Sequence, residues 1–141
     1  MAVSEQSFQR ELLKEIRLLD GWHAFKITSM FIGGIPDLYI KRLNHPALWV
    51  ELKFLKYTKN MPRDGVPIEL TPLQRHFIYR EQQAGGYAGW IVCLADRNHW
   101  RVYTGNHHLT VIVKYNDHAQ LRLKGQKWNL DLILRRVEYG Y

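Results

Sequence analysis

A nearly continuous apolar run at residues 87–95 constrains the fold more than any other segment of the chain. Apolar residues that do not alternate with polar ones over this length are typical of a β-strand buried on both faces. Just before the run, Thr71 and Pro72 form a capped helix start, and Gly85 marks a helix end. The sequence therefore predicts a helix followed by a strand that is central in a sheet.

A helix and three strands are predicted before this unit. Apolar side chains recur at helical spacing in the first segment, where Ser4 is a candidate N-cap and Gly21 follows the end. The predicted elements are a helix at residues 5–19 and strands at residues 22–29, 37–42 and 47–53. The last two strands flank the turn-forming sequence Asn-His-Pro at residues 44–46, which predicts a hairpin. Residues 54–70 have the composition of a loop.

Beyond residue 95 the pattern is weaker. Residues 100–103 and 109–115 are strand-like, and residues 130–137 fit either a strand or a short helix. With 141 residues, the chain is long enough for one ordinary domain. We predict an α/β fold with a core at residues 1–95, ordered helix, three strands, helix, strand. A C-terminal β-rich extension at residues 96–141 is predicted to pack on the same domain.

Charge and cysteine usage limit the classes of partner and compartment. The chain has 20 lysine and arginine residues against 13 acidic ones, a net charge of +7, which favours polyanionic partners. No apolar stretch approaches about 18 residues, and the N-terminal segment is polar, so neither a membrane span nor a signal peptide is predicted. The single cysteine, Cys93, is expected to be buried, which fits a reducing cytoplasm.

Three residues of the predicted hairpin stand out by type and spacing. Asp37 follows Pro36 at the start of one strand, and Glu51 and Lys53 alternate near the end of the next. Since every second residue of a strand points to the same face, Glu51 and Lys53 project together, and the hairpin can bring Asp37 to that face. Two carboxylates and one ammonium group are therefore predicted to converge.

These residue types suit a magnesium ion. Mg²⁺ commonly takes one or two carboxylates and completes its octahedral shell with water and substrate phosphate. The backbone carbonyl of Leu52 is a further candidate ligand. A metal held by Asp37 and Glu51 can lower the pKa of a bound water, and Lys53 can stabilise the charge on a pentavalent phosphorus. These are the requirements of phosphodiester hydrolysis.

The motifs resemble the PD-(D/E)XK nuclease superfamily and, within it, the VRR-NUC group of phage-type and repair nucleases. The resemblance rests on Gly-Gly-Ile-Pro-Asp-Leu at residues 33–38, Leu-Trp-Val-Glu-Leu-Lys at 48–53 and Leu-Thr-Pro-Leu-Gln at 70–74, and it covers about residues 5–95. It implies a restriction-endonuclease-like core that is similar to that of Holliday junction resolvases. It also implies Mg²⁺ or Mn²⁺ dependence, cleavage of branched or flapped DNA, and a homodimer in a bacterial or phage-infected cell.

The resemblance adds two further site residues. It implies that Gln74, near the start of the second helix, positions Lys53, the water or a phosphate. It also implies a glutamate on the first helix that completes the metal site. At about 100° per residue, Glu5 projects near the middle of the apolar helix face, while Gln9 and Glu11 are the alternatives. A carboxylate there needs a partner such as a metal, but a solvated Glu5 that interacts with the helix dipole fits equally well.

Cationic residues near the motifs are candidates for contact with the DNA backbone. They are Lys26, Lys56, Lys59, Arg63 and Arg75. The sequence thus favours a Mg²⁺-dependent endonuclease that acts on branched or structured DNA, with Mn²⁺ as a substitute metal. The rival hypothesis is a non-cleaving DNA-binding module, or a structural subunit, on the same fold. The complete set of Asp37, Glu51 and Lys53 favours the enzyme, because a binding module does not need all three.

Overall fold

The computed structural model describes residues 4–28, 33–61, 65–96, 99–107, 111–113, 120–123 and 129–140. In chain order its elements are α1 (Glu5–Arg17), β1 (Trp22–Lys26), β2 (Leu38–Arg42), β3 (Leu48–Lys56), β4 (Val66–Ile68), α2 (Pro72–Gln83), β5 (Tyr87–Asp96), β6 (His99–Gly105), β7 (Val111–Val113), β8 (Gln120–Leu123) and α3 (Leu130–Tyr139). The predicted α/β class is confirmed. The predicted core order of helix, three strands, helix, strand is also confirmed, with the short β4 added before α2.

The strands of the described ranges form one six-stranded sheet in the order β1-β2-β3-β5-β6-β8 and a two-stranded sheet of β4 and β7. β1, β2 and β3 pair antiparallel, β3 and β5 pair parallel, and β5, β6 and β8 pair antiparallel. β5 therefore lies inside the sheet, as predicted from its apolar run. Ile91 and Val92 point to opposite faces of the sheet, and both are fully buried.

Helices cover the two faces of the large sheet differently. Phe8, Leu12 and Ile16 of α1 share one hydrophobic core with α3, while Ile78 of α2 belongs to a second core on the other face. Both α1 and α2 begin with a capping box, which satisfies backbone groups that a helix start leaves unpaired. Cys93 is buried, as predicted. Among the described helices, none has the length and apolar character needed to cross a bilayer.

Three predicted elements differ from the structure. The predicted loop at residues 54–70 contains the end of β3 and all of β4, whose partner β7 lies far along the chain, so no local pattern reveals the pairing. The ambiguous residues 130–137 are helical, within α3, so the extension is not purely β. The predicted strand at residues 22–29 ends at Lys26. Residues 29, 109–110 and 114–115 of the predicted strands lie outside the described ranges.

Candidate active site

The β2–β3 hairpin brings the carboxylates of the two motifs together. Leu38 pairs with Val50 in the antiparallel register, so Asp37, just before β2, lies opposite Glu51 in β3. Cross-strand neighbours at this position point to the same face. Glu51 and Lys53 alternate with the buried Leu52, which points to the other face. The structure thus brings together Asp37, Glu51 and Lys53, as the spacing predicted.

Asp37 is fixed by the backbone of β3. Because β2 begins at Leu38, its pairing with β3 stops at Val50 and leaves the next part of β3 open on that side. The amide N–H of Leu52 donates a hydrogen bond across this gap to Asp37 Oδ2, at 2.9 Å. The N–H and C=O of one residue in an extended strand point to the same side. The Leu52 carbonyl therefore faces the same open edge as its N–H.

Glu51 is a buried carboxylate with an incomplete set of partners. It is 4% exposed, and its Oε1 accepts a hydrogen bond from Gln74 Nε2 at 2.9 Å. Lys53 Nζ lies 3.8 Å from the same oxygen. The second oxygen, Oε2, is buried and accepts no hydrogen bond from the described residues. A buried acceptor left in this state is costly unless a cation or proton satisfies it.

Burial is the main reason that the pKa of Glu51 is raised, from 4.5 to about 8. The negative charge of Asp37 adds to this effect, because a second carboxylate nearby disfavours the ionised form of Glu51. The ammonium of Lys53 opposes the rise in the pKa but does not cancel it. The single ammonium of Lys53 therefore does not balance the two carboxylates.

Gln74 connects the start of α2 to both charged groups of β3. Its Oε1 accepts from the backbone N–H of Thr71 at 2.9 Å, as part of the capping box, and from Lys53 Nζ at 3.2 Å. Its Nε2 donates to Glu51. The side chain thus orients the ammonium and the carboxylate with respect to each other. The predicted capped start at Thr71 is confirmed, whereas the return bond from its N–H to the Gln74 side chain was not predicted, although the Thr-x-x-Gln capping box was a readable signal.

The glycine loop before Asp37 packs against the same helix start. Gly34 has a φ of +84°, and a Cβ at this position would lie 2.6 Å from the backbone carbon of Leu73. Only glycine combines this backbone conformation with so close an approach. The loop that leads to Asp37 is therefore held against the first turn of α2, next to Gln74.

The candidate polar residues of α1 differ from one another in their exposure. Glu5, the first residue of α1, is exposed, which agrees with the solvated alternative, and its charge contributes to the raised pKa of Glu51. Gln9 is the buried polar side chain of the helix, at 8% exposure, and Glu11 is half-buried. A metal-binding role for Glu5 stays a prediction.

The cationic residues predicted to contact DNA are spread over several elements. Lys26, at the end of β1, lines a cavity of about 330 Å³ together with Gln9 and Arg10 of α1. Lys56, at the end of β3, and Lys59 are exposed. The half-buried Arg75 follows Gln74 in α2, and Arg63 lies outside the described residues.

The donor set fits a hard divalent cation. In the described ranges, no group of three or more His, Cys, Asp or Glu side chains surrounds a metal-sized position. Asp37 and Glu51 supply two carboxylates, which is within the usual number for Mg²⁺ because water and phosphate complete its shell. The buried and unpartnered Oε2 of Glu51 is the observation that supports the fit. The predicted ligand roles of Glu5 and of the Leu52 carbonyl stay predictions.

Among the comparisons with known proteins, the one with solved structures gives a likeness. A scan against models of protein families gives no match, and neither does a search of curated proteins. Among solved structures, the chain is similar to a Holliday junction resolvase from the archaeal hyperthermophile Archaeoglobus fulgidus, with 21% sequence identity and a TM-score of 0.47, over 70% of this chain and 74% of that one. Function has to come from the chemistry of the site itself.

Proposed function

We propose that this protein is a Mg²⁺-dependent endonuclease of the PD-(D/E)XK type that hydrolyses phosphodiester bonds in branched or structured DNA. The observation that carries the proposal is the Asp37–Glu51 pair, in which Glu51 is buried and two carboxylates share the one ammonium of Lys53. The second oxygen of Glu51 has no hydrogen-bond partner among the described residues. Lys53 and Gln74 contact the same pair. A structural role alone leaves such a pair as a cost to folding, whereas a metal centre uses it.

The residues that would hold the metal are Asp37 and Glu51, with the Leu52 carbonyl and Glu5 as further candidates. When bound, Mg²⁺ supplies a water of lowered pKa and offsets the charge that develops on the phosphate oxygens. The chain's own contribution is to hold both carboxylates in place before the metal arrives. Asp37 is held by the amide of Leu52, and Glu51 is held by the amide of Gln74.

Lys53 supplies a positive charge that does not depend on the metal. Its side chain is 25% exposed, so it reaches the surface, while Gln74 Oε1 holds its Nζ at 3.2 Å. An ammonium fixed in this way can contact a phosphate oxygen and stabilise the pentavalent transition state. The net charge of +7 favours a nucleic acid as the phosphodiester substrate.

The preference for branched DNA and the homodimer are proposed on the sequence resemblance. The motifs at residues 33–38, 48–53 and 70–74 resemble those of VRR-NUC nucleases. A homodimer would present two sites, which is what symmetric incision of a four-way junction needs. Sedimentation of the chain alone and with junction DNA would measure its oligomeric state.

Cleavage assays test the proposed function. Labelled four-way junction, flap and linear duplex DNA are incubated with the wild type, with Lys53→Ala and with the control Lys14→Ala, in Mg²⁺, in Mn²⁺ and with chelator. Lys14 is exposed in the last turn of α1, so its removal makes the same change in charge. We expect metal-dependent cleavage that Lys53→Ala loses and Lys14→Ala keeps. Binding without cleavage, equal in all three proteins, would instead indicate a non-cleaving DNA-binding module.

A further inference from the structure

The sheet face that carries Glu51 and Lys53 is only partly covered. Ile78 of α2 packs on this face near β5. No helix of the described ranges covers the same face over β1. Phe25 of β1 is 53% exposed there, whereas its neighbour Ala24, which points to the opposite face, is 3% exposed. An open area therefore lies beside the candidate active site.

Aromatic side chains form a row across this open area. Phe25, Tyr39 and Trp49 are successive partners in the strand register, and Phe77 of α2 follows them. Their ring centroids are 6.2 Å apart for Phe25 and Tyr39, 5.0 Å for Tyr39 and Trp49, and 5.2 Å for Trp49 and Phe77. We call these four side chains the aromatic row. His23 extends it, since its ring stacks parallel to that of Phe25 at 6.5 Å.

The aromatic row lies directly beside the carboxylate pair. Tyr39 is two residues after Asp37 in the chain, and Trp49 is two residues before Glu51. Two residues of a strand span about 7 Å and keep side chains on the same face. A DNA strand whose phosphate contacts Lys53, beside the carboxylate pair, would therefore place a neighbouring nucleotide over the row.

The exposed end of the row is not needed for the core. Neither Phe25 nor Tyr39 belongs to the buried cluster beneath α2, which is built around residues such as Trp90 and Val92. An exposed phenylalanine next to half-buried aromatic rings is a contiguous apolar surface, and such surfaces mark interaction sites.

We propose that the aromatic row stacks unpaired bases of the DNA strand that enters the active site. The inference rests on the proposed nuclease function and narrows its substrate to DNA with a single-stranded segment next to the cleaved bond, such as a flap or an opened junction arm. Within an intact duplex the bases stack on one another and expose ring faces only at the two ends, so blunt duplex DNA gains little from the row. Aromatic side chains bind unpaired bases of any sequence in this way.

The surroundings of the row favour nucleic acid over a protein partner. The row is continuous with the carboxylate pair and with Lys53, so one strand can contact the row and the site together. None of the four side chains of the row is acidic, and the net charge of the chain is +7. The ring faces of unpaired bases match the aromatic side chains, and the phosphates match the overall positive charge of the chain.

Binding measurements without metal test the aromatic row separately from cleavage. Fluorescence anisotropy in chelator compares a labelled thymidine oligonucleotide with a blunt duplex of the same length. The variants are Phe25→Ala, Phe25→Leu, which keeps an apolar side chain without a ring, and Phe25→Trp, which keeps a ring. The control is Leu43→Ala, since Leu43 is 78% exposed in the turn at the other end of β2.

We expect Phe25→Ala and Phe25→Leu to bind the oligonucleotide about tenfold more weakly and the duplex unchanged. Phe25→Trp and Leu43→Ala should bind both DNAs as the wild type does. An unchanged oligonucleotide affinity, or an equal loss for both DNAs, would overturn the proposal. A wild-type dimer that Phe25→Ala separates, with oligonucleotide affinity unchanged, would also overturn it and identify the row as a protein interface.

The aromatic row and the nuclease function can fail separately. If the protein binds the oligonucleotide through Phe25 but cleaves no DNA, base stacking by the aromatic row is supported and the proposed nuclease function is contradicted. If Phe25→Ala cleaves flap DNA with metal at the wild-type rate, the nuclease function is supported and the role of the aromatic row is contradicted.

Discussion

Glu51 and Glu138 are both buried, but they differ in the positive charge that lies near them. Glu138 of α3 is 6% exposed, and its Oε2 lies 3.1 Å from Arg42 at the end of β2 and 3.7 Å from His45. Glu51 is 4% exposed, but Lys53 lies 3.8 Å away and a second carboxylate, Asp37, lies beside it.

The difference separates a structural ion pair from a site that is open to a ligand. At the Glu138 end, Arg42 also lies over the ring of Trp22, at 5.2 Å, so the pair fastens α3 to the sheet. At the Glu51 end, two carboxylates share one nearby ammonium. A buried charge without sufficient partners is costly, and chains keep such groups where a function uses them.

The largest expected difference between the two glutamates is in how the free energy of unfolding depends on pH. The pKa of Glu51 is about 8 in the folded chain and 4.5 ordinarily, so the folded state binds the proton more tightly. The contribution of Glu51 to the free energy of unfolding of the metal-free protein should therefore be largest below about pH 4.5. The free energy of unfolding should fall by up to about 5 kcal/mol as the pH rises to 8 and above. Denaturant unfolding in chelator measures the loss.

Matched variants sharpen this result. Glu51→Gln should remove the pH-dependent loss and stabilise the metal-free protein above pH 8, whereas Glu138→Gln should keep the loss. Stability that varies equally with pH in Glu51→Gln and in the wild type would mean that the charge of Glu51 is already balanced.

The second expected effect is on cleavage. Lys53→Ala should lower the rate by about 10²- to 10³-fold, since it removes a fixed positive charge from the transition state. Stability should change little, because the Lys53 side chain is partly exposed. Single-turnover cleavage of flap DNA measures the rate. A rate within the experimental error of wild type would show that Lys53 has no part in the reaction.

The third expected effect is at the other end of the hairpin. Arg42→Met keeps the apolar part of the side chain but removes the cation closest to Glu138, and it should destabilise the fold by about 2 kcal/mol. The cost is below that of a fully buried pair because Arg42 is partly exposed and His45 remains nearby. Thermal and denaturant unfolding measure it. Cleavage should be unchanged, and a large loss of cleavage would contradict the separation of the two ends.

The smallest expected effect separates the two roles of Gln74. Gln74→Ala should destabilise the protein by about 1 kcal/mol through the lost helix cap, and it should also slow cleavage. Gln74→Glu can still accept the hydrogen bond from Thr71, so it should regain the stability at low pH, where the carboxyls are protonated. At neutral pH it places a third carboxylate beside Glu51, and it should not regain the cleavage rate because the ionised side chain cannot donate to Glu51. If Gln74→Glu restores both properties, the contact with Glu51 has no part in the reaction.

Local patterns predicted the elements that have local causes. The apolar run of β5, the Thr71–Pro72 start of α2 and the β2–β3 hairpin all follow from short-range rules. The pairing of β4 with β7 joins segments far apart in the chain, so it was missed. Helical periodicity gave the direction of Glu5 but not its depth: α1 begins at Glu5, before the first buried residue, Phe8.

In the candidate site, too, local patterns predicted some features and missed those that depend on distant segments. Strand alternation was enough to predict that Asp37, Glu51 and Lys53 converge. Gln74 accepts a hydrogen bond from Lys53 and donates one to Glu51, and both bonds depend on where α2 crosses β3, which sequence spacing does not specify. The aromatic row was also missed, since it depends on the strand register and on which part of the sheet the helices leave open.

Titration calorimetry with Mn²⁺ tests the central claim most directly, since it asks whether the Asp37–Glu51 pair binds a divalent cation. Wild type and Glu138→Gln should each bind one Mn²⁺ per chain near pH 7, with a heat that depends on the buffer because Glu51 releases its proton. Glu51→Gln should lose this binding. Equal binding by Glu51→Gln and wild type, or no binding by the wild type, would contradict the account.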